Sequence, residues 1–186
     1  MKRLFSWVVL AALVAAAGPA SASMFVAMGQ QELVRASEAV VVGEVIGVRA
    51  FWNDEGTAVL TEADLRVDEV LVGDAPFIVT VQTFGGTVGR LRIDALGFPT
   101  FHTGENLVLY LENVQGKARV VGYQQGEYRL VDRRGVRVAV PAVDAGAHLV
   151  HLDGTAAARP VSMSLAHLKD QIDAAALSAG RRIRNQ

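Results

Sequence analysis

The chain has 186 residues, no cysteine and a formal net charge of −1. This length favours one domain once any leader is removed, and the missing cysteines exclude disulfides, a thiolate nucleophile and cysteine-ligated zinc or iron sites. The near-neutral charge argues against the basic face that nucleic-acid binding requires, so no nucleic-acid partner is expected.

Residues 1–22 have the pattern of a secretory signal peptide. Lys2 and Arg3 precede a long apolar run, and small residues end the segment at Ala22. This order is typical of a leader that is cleaved during export, and the apolar run is shorter than the roughly 20 residues of a membrane span. We expect cleavage after Ala22, no stable membrane anchor afterwards, and a secreted or periplasmic protein. The mature chain would carry 16 basic and 19 acidic residues, a net charge of −3.

Strand patterns follow a short helix predicted at residues 30–37. The run Ala39–Val48 is apolar on both faces at first, which predicts a buried strand, and two glycines on one face of it predict strong curvature. Apolar and polar residues alternate from Val59 to Val67. The alternation changes phase near Asp68, which indicates a bulge or a strand end.

The second half of the chain continues this pattern. Strands are predicted at Phe77–Thr83 and Leu107–Leu111, and a hairpin joins Glu127–Val131 to Val136–Val140. The segment Leu96–Gly104 is predicted as a loop rich in aromatic residues.

A helix is predicted at Ser162–Ser178. Leu165, Leu168 and Ile172 form one apolar stripe, and serine can cap its start. Residues 142–160, rich in Ala, Gly and Asp, are predicted to be irregular.

Strands joined by short turns, without alternating helices, predict a mainly β fold. The expected architecture is a small antiparallel OB-like barrel with a short N-terminal helix and a C-terminal helix. The domain plan is a signal peptide at 1–22, an OB-like barrel with an extra hairpin at 23–160, and a helix with a basic tail at 161–186, packed on or trailing the same domain.

Four segments resemble a known fold family: Ala39–Val48, Val67–Gly73, Val79–Thr83 and Gly104–Tyr110. Their order and residue types resemble the OB-fold module of tissue inhibitors of metalloproteinases and netrin-like domains. The wider segment Leu33–Gly126 also resembles a group of uncharacterised exported bacterial proteins.

The resemblance implies an OB-like fold and suggests recognition or inhibition of an extracellular protease. Those inhibitors bind the protease zinc through an N-terminal cysteine, whereas this mature chain would begin at Ser23 and contains no cysteine. The resemblance therefore supports the fold more than the activity.

No catalytic motif stands out. The serines lack a Gly-x-Ser-x-Gly context, and the glycine-rich stretch Gly85–Gly89 lacks the Lys-Ser/Thr of a P-loop. His148 and His151 are three residues apart and would face opposite sides of a strand, so we interpret them as solvated and predict no metal or cofactor. The expected function is a non-enzymatic binding module. The alternatives are a cell-envelope hydrolase or metal-dependent enzyme, and a structural envelope protein.

Aromatic residues supply the candidate binding surface. If Phe51, Trp52, Phe98 and Phe101, with the neighbouring His102, lie in loops at one rim, they can recognise a secreted partner protein such as a protease. The alternative is that the aromatic rings plug the end of the barrel.

Overall fold

A computed structural model describes residues 23–181 and residue 183. Within them the chain is mainly β, with twelve strands, two α-helices and one short 3-10 helix. The predicted signal peptide and most of the basic tail lie outside the described residues. No helix in the described part of the chain combines the length and apolar character that crossing a bilayer demands.

Strands make up most of the chain, with one α-helix near each end of the described residues. The strands are β1 Ser23–Val26, β2 Ala39–Trp52, β3 Val59–Val72, β4 Ile78–Phe84, β5 Gly86–Val88, β6 Leu91–Ile93, β7 Asn106–Val114, β8 Lys117–Val120, β9 Glu127–Arg133, β10 Val136–Pro141, β11 Ala147–Val150 and β12 Met163–Ser164. The α-helices are α1 Gln30–Ala36 and α2 Leu165–Ser178, and the 3-10 helix is Tyr123–Gly126.

Five strands form a ring. β2 pairs with β3 and β7, β3 pairs with β4, β7 pairs with β8, and β8 meets β4 in parallel. That last contact is one residue pair long, Val81 with Ala118. The predicted mainly β fold is confirmed, but the predicted barrel is not closed. Between β4 and β8 the ring is joined by a single residue pair. The sheet also continues beyond β7 through β9, β10 and β12.

β2 and β7 separate two hydrophobic cores, as expected for strands buried on both faces. Val41 and Val45 of β2 point into the ring, whereas Val40 and Val42 face the helices. β7 alternates in the same way, with Leu107, Leu109 and Leu111 inside the ring and Val108 and Tyr110 outside. The two-faced apolar pattern of these strands therefore follows from their central position.

The predicted change of phase in β3 is a bulge. Val42 pairs with Glu69 and Gly43 pairs with Val67, so Asp68 is left out of the register. A Cβ on Gly43 would lie 2.3 Å from the carbonyl oxygen of Arg66, and only glycine allows the two backbones to approach so closely.

Helix α2 covers the outer core. Ser164 caps it by accepting a hydrogen bond from the His167 backbone N–H at 3.2 Å, and Leu168 and Ile172 are fully buried. After the helix ends, the Arg181 guanidinium donates to the backbone carbonyls of Val34, Ser37 and Glu38. The end of the described chain is thereby tied to α1.

The segment 142–160 is less irregular than predicted. It contains β11, which pairs in parallel with β1 over four residue pairs, from Ser23 with Ala147 to Val26 with Val150. Both strands are short and lie far apart in sequence, so neither carries a local pattern that reveals the pairing. The pairing fixes the position of Phe25.

Candidate functional site: an aromatic row beside an open cleft

A cleft of about 830 Å³ opens at one end of the ring. Strands β2, β3 and β4 supply one wall, and the β5–β6 hairpin with the loop 94–105 supplies another. Its lining mixes apolar, hydroxyl and charged side chains: Val48, Ala50, Thr61, Thr83, Phe84, Thr87, Arg92, Ile93, Asp94, Leu96, Phe98, Thr100, Phe101, His102, Gln124 and Asp144.

Four aromatic side chains form a continuous row beside this cleft, and two of them, Phe84 and Phe98, line it. The ring centroid of Phe98 lies 5.1 Å from that of Phe84 and 4.9 Å from that of Tyr123, both edge to face. Tyr123 in turn lies 5.5 Å from Phe25. The Arg119 guanidinium stands 5.5 Å from the Phe84 centroid and extends the row with a cation–π contact. We call Phe25, Phe84, Phe98 and Tyr123 the aromatic row.

Tyr123 has an unfavourable backbone conformation. Its φ is 61°, in the left-handed region that bulky side chains avoid. The residue is nevertheless 45 % exposed, so this conformation does not bury the aromatic side chain deeply. Gln115 and Arg134 adopt the same backbone conformation in hairpin turns, but Tyr123 combines it with a solvent-accessible aromatic side chain, which makes it a candidate functional residue.

Gln124, the next residue, fastens the row to the loop. Its backbone N–H donates to the Gly97 carbonyl at 3.0 Å. Its side-chain amide donates to the Phe98 carbonyl at 3.2 Å and to Asp144 Oδ2 at 3.0 Å. Since Gln124 is buried, these bonds fix Phe98 and Tyr123 relative to each other.

Arg129 makes a second attachment between the sheet and the loop. Its Nη2 donates to the Thr100 carbonyl at 3.1 Å, and its Nε donates to Glu127 Oε1 at 3.2 Å. Glu127 is fully buried, and its Oε2 has no hydrogen-bond partner among the described residues. Burial raises the pKa of Glu127 to about 7, and the nearby Glu105 and Asp144 carboxylates add to the rise while Arg129 opposes it.

His102 and Glu105 form a pair at the mouth of the cleft. Glu105 Oε2 accepts the His102 backbone N–H at 2.8 Å, and Glu105 Oε1 lies 3.1 Å from His102 Nδ1. The His102 side chain is 72 % exposed. The loop therefore presents an accessible imidazole whose ring is oriented by a carboxylate.

Charged side chains line the outer face of the ring next to the row. Glu62 is buried, and it accepts hydrogen bonds from Arg49 Nε at 3.0 Å, Lys117 Nζ at 3.2 Å and Gln82 at 3.3 Å. Burial alone would raise the pKa of Glu62, but the bonds from Arg49 and Lys117 outweigh burial and lower it. Arg119 bonds to Gln82 Oε1 at 3.3 Å, so the aromatic row adjoins this network.

The structure brings together three of the five predicted binding residues. Phe98, Phe101 and His102 line the cleft, whereas Phe51 and Trp52 lie at the end of β2, opposite Leu60 and Val59, and do not line it. Phe101 is 6 % exposed and packs in the core inside the ring. The aromatic side chain of Phe101 therefore fills the interior of the strand ring, as a plug would. Trp52, in contrast, is 42 % exposed.

Sequence reasoning missed Phe25, Phe84 and Tyr123 as members of the site. Phe84 directly follows the predicted strand Phe77–Thr83, and Tyr123 ends a second predicted strand, Lys117–Tyr123, so neither position carried a signal of function. Their meeting depends on long-range packing that no local pattern encodes. The one available signal was the Val121-Gly122-Tyr123 sequence, since a glycine after a strand marks a turn.

The two histidines considered for a metal site lie on or beside β11. His148 and His151 are both exposed. Within residues 23–181 and 183, no three His, Cys, Asp or Glu side chains form an arrangement that could hold a metal ion.

The chain matches no family model, no curated protein and no solved structure. The function is therefore inferred from the geometry of the aromatic row and the cleft.

Proposed function

We propose that this chain is an exported, non-enzymatic binding module that recognises a partner protein through the aromatic row and the adjoining cleft. The ring itself supports an OB-like assignment as part of this proposal. Strands β2, β3 and β4 form a meander, β7 pairs back onto β2, and β8 lies between β7 and β4. An OB fold is a five-stranded, partly open barrel whose surface and loops bind ligands.

The strained and half-exposed Tyr123 is the observation that carries the proposal. Packing of a buried aromatic side chain would offset the strain, but Tyr123 is 45 % exposed. A partner that covers Tyr123 would supply this packing when it binds. Aromatic residues with an arginine beside them are also the side chains that dominate binding energy at protein interfaces.

The composition of the surface suits a protein partner. Apolar rings alternate with Gln82, Arg119 and His102, which offer hydrogen-bond donors and acceptors around the apolar centre. Protein interfaces share this arrangement of aromatic anchors within a polar rim. Because four segments resemble the OB-fold module of tissue inhibitors of metalloproteinases, an exported protease is the first partner class to test.

The experiment is capture by the immobilised mature protein, residues 23–186, from the exported fraction of the source culture. A partner identified there is purified, and its affinity is measured for wild type, Phe98→Ala and Tyr123→Ala. Loss of a hot-spot side chain costs about 2 kcal/mol, which is roughly thirtyfold in Kd.

Phe77→Ala is the matched control, because Phe77 is 69 % exposed and precedes the opposite end of β4. Melting curves show whether each variant folds. Equal affinity for wild type and both row variants, with folding intact, would contradict the proposal.

One observation favours the hydrolase alternative. An exposed histidine oriented by a carboxylate, as in the His102–Glu105 pair, is the arrangement of a general base. Among the described residues that line the cleft there is no serine, and the hydroxyls come from threonines. Hydrolysis of ester or peptide substrates that is lost in His102→Ala would replace the binding-module assignment.

A further inference from the structure

Glu127 and Arg129 lie two residues apart on one face of β9. Tyr128 between them packs in the core beneath the helices, so the other two face the opposite side, where Arg129 reaches the loop 94–105. Glu127 begins β9 opposite Leu109, and its side chain is fully buried. Its Oε1 accepts a hydrogen bond from Arg129, while its Oε2 has no partner among the described residues. A carboxyl group with one unsatisfied oxygen therefore lies behind the loop that forms a wall of the cleft.

Carboxylates outnumber cations around Glu127. Among the described residues, the charged groups that act on it are Arg129 on its own strand, Glu105 before β7 and Asp144 after β10. Arg129 Nε also lies 3.9 Å from Glu105 Oε1, so one guanidinium serves two carboxylates. Arg159 donates its hydrogen bonds to backbone carbonyls of residues 143–147, including that of Asp144. When Glu127 is ionised, the cluster therefore holds three negative charges and one positive charge.

The same guanidinium fastens the loop. Arg129 Nη2 donates to the carbonyl of Thr100 at 3.1 Å and to its hydroxyl at 3.2 Å. An arginine that binds both oxygens of one carboxylate uses two N–H groups as a fork, and the fork that includes Nε also includes Nη2. Arg129 Nη2 therefore cannot bind Glu127 Oε2 and keep both hydrogen bonds to Thr100.

Glu105 makes a second attachment of this loop. Its Oε2 accepts the His102 backbone N–H at 2.8 Å, and its Oε1 lies 3.1 Å from His102 Nδ1. A negative charge on Glu127 repels the Glu105 carboxylate and competes with it for Arg129. Ionisation of one buried group therefore acts on both attachments.

We infer that Glu127 and Arg129 form a pH-sensitive latch on the loop 94–105. With Glu127 protonated, Arg129 stays on Thr100, and the loop holds Phe98 within the aromatic row. When Glu127 releases its proton to solvent, Arg129 Nη2 turns to the free oxygen, water reaches the carboxylate, and the loop separates from β9. This inference rests on the proposed function, for which it names a regulation: the surface binds its partner more tightly in acid than in alkali.

The pKa of Glu127, about 7 in the folded protein, places the change near neutral pH. Since the pKa is raised by burial, the closed loop is favoured below pH 7 and loses its advantage above it. If water returns the pKa to 4.5 in the open loop, the open population rises about tenfold between pH 6 and pH 8.

Amide hydrogen exchange of the purified protein at pH 6, 7 and 8 tests the latch. Each rate is divided by the intrinsic rate at that pH, so that the resulting protection reports opening alone. Protection of the Phe98 and Gln124 amides, which donate to Ala95 and Gly97, should fall about tenfold from pH 6 to pH 8.

Glu127→Gln should keep the same protection of these amides at every pH, because it removes the titrating group. Glu38→Gln is the matched control, since it removes an exposed carboxylate and should behave as the wild type. Histidine side chains also titrate near neutral pH. His102→Gln therefore serves as a second control, and its loop should retain the tenfold change.

The latch is overturned by constant protection in the wild type, by the same pH change in Glu127→Gln, or by its loss in His102→Gln. Loop amides that lose protection only together with the slowest amides of β7 would indicate global unfolding and would also overturn it. If Glu127→Gln does not fold, Arg129→Gln takes its place. Its loop should lose protection already at pH 6, and unchanged protection there would contradict the latch.

The captured partner separates this inference from the proposed function. The wild type should bind it about threefold or more tightly at pH 6 than at pH 8, whereas Glu127→Gln should bind equally at both. The same pH dependence in both proteins would assign the titration to the partner and overturn the regulation. Continued dependence of binding on Phe98 would then leave the proposed function standing. Affinity that is indifferent to Phe98 would instead remove the proposed function.

Discussion

The ring of Phe25 occupies the space where a side chain on Gly97 would lie. A Cβ built on Gly97 would stand 2.0 Å from Phe25 Cζ. This contact packs the first described strand against the loop 94–105, and it completes the aromatic row through Tyr123. The packing of the candidate site therefore requires a glycine at position 97.

Gly97→Ala should destabilise the protein and displace Phe25. Gly97 has a φ of +81°, so alanine adds backbone strain as well as the clash. Gly154→Ala is the matched control, because Gly154 has the same φ of +81° and a Cβ there would meet nothing within 4 Å. Urea unfolding should show Gly97→Ala less stable than the control by about 1–3 kcal/mol, the usual cost of overpacking. Equal stabilities would mean that Phe25 is not packed on Gly97.

Glu127→Gln should stabilise the protein at alkaline pH. The pKa of Glu127 in the folded state, about 7, lies above the ordinary value of 4.5. The contribution of Glu127 to stability is therefore fully present below pH 4.5 and is lost as the pH rises through 7. At pH 8 the buried carboxylate costs about 3 kcal/mol, and the neutral glutamine avoids that cost.

Unfolding free energies of wild type and Glu127→Gln, measured from pH 4 to pH 8, check this. The two proteins should have similar stability at pH 4, and the glutamine variant should gain an increasing advantage above it. A variant that is less stable at pH 8 would show that the ion pair with Arg129 outweighs the burial of Glu127.

Glu62→Gln should show the opposite pH dependence. The pKa of Glu62 is lowered in the folded state, because the hydrogen bonds from Arg49 and Lys117 outweigh burial. Its contribution to stability is present above pH 4.5 and is lost as the pH falls. The variant should be less stable than wild type at pH 7, and the difference should shrink in acid. A constant difference at every pH would indicate a packing effect alone.

Leu168→Ala should cost about 2–5 kcal/mol, because Leu168 is fully buried between α2 and the sheet. Leu177→Ala, on the same helix but 70 % exposed, should change stability by no more than about 0.5 kcal/mol. Chemical unfolding of both variants measures the difference. If Leu168→Ala melts with the wild type, α2 is not docked in solution.

Phe101→Ala and Trp52→Ala separate core residues from surface residues within the predicted set. Phe101 packs inside the ring, so its truncation should cost about 3–5 kcal/mol. Trp52 is 42 % exposed, and its truncation should cost much less. Thermal unfolding of the two variants measures the difference. A larger decrease in melting temperature for Trp52→Ala than for Phe101→Ala would contradict the placement of both side chains.

Much of the fold could be predicted because its signals are local. Two-sided apolar runs predicted the central strands, and the stripe through Leu168 and Ile172 predicted α2. The phase change near Asp68 predicted a bulge or a strand end, and the structure has a bulge there. Closure of the ring could not be predicted, because the length of the β4–β8 ladder is set by packing and not by residue pattern.

The candidate site was less predictable for the same reason. Phe25 and Tyr123 are distant in sequence, and their contact depends on the β1–β11 pairing and on a left-handed turn. Phe98, which lies within the row, could be predicted because its loop is rich in aromatic residues. Phe101 has a similar sequence context but opposite burial, a difference that only the arrangement of the loop decides.

Hydrogen exchange of the captured complex tests the central claim, that the aromatic row is the surface that binds a partner. The account predicts that partner binding slows amide exchange in the loop 94–105 and in the 3-10 helix Tyr123–Gly126, while the β9–β10 hairpin tip and the exposed face of α2 keep their free-state rates. Slower exchange at the hairpin tip or α2, with the loop and Tyr123 unchanged, would contradict it.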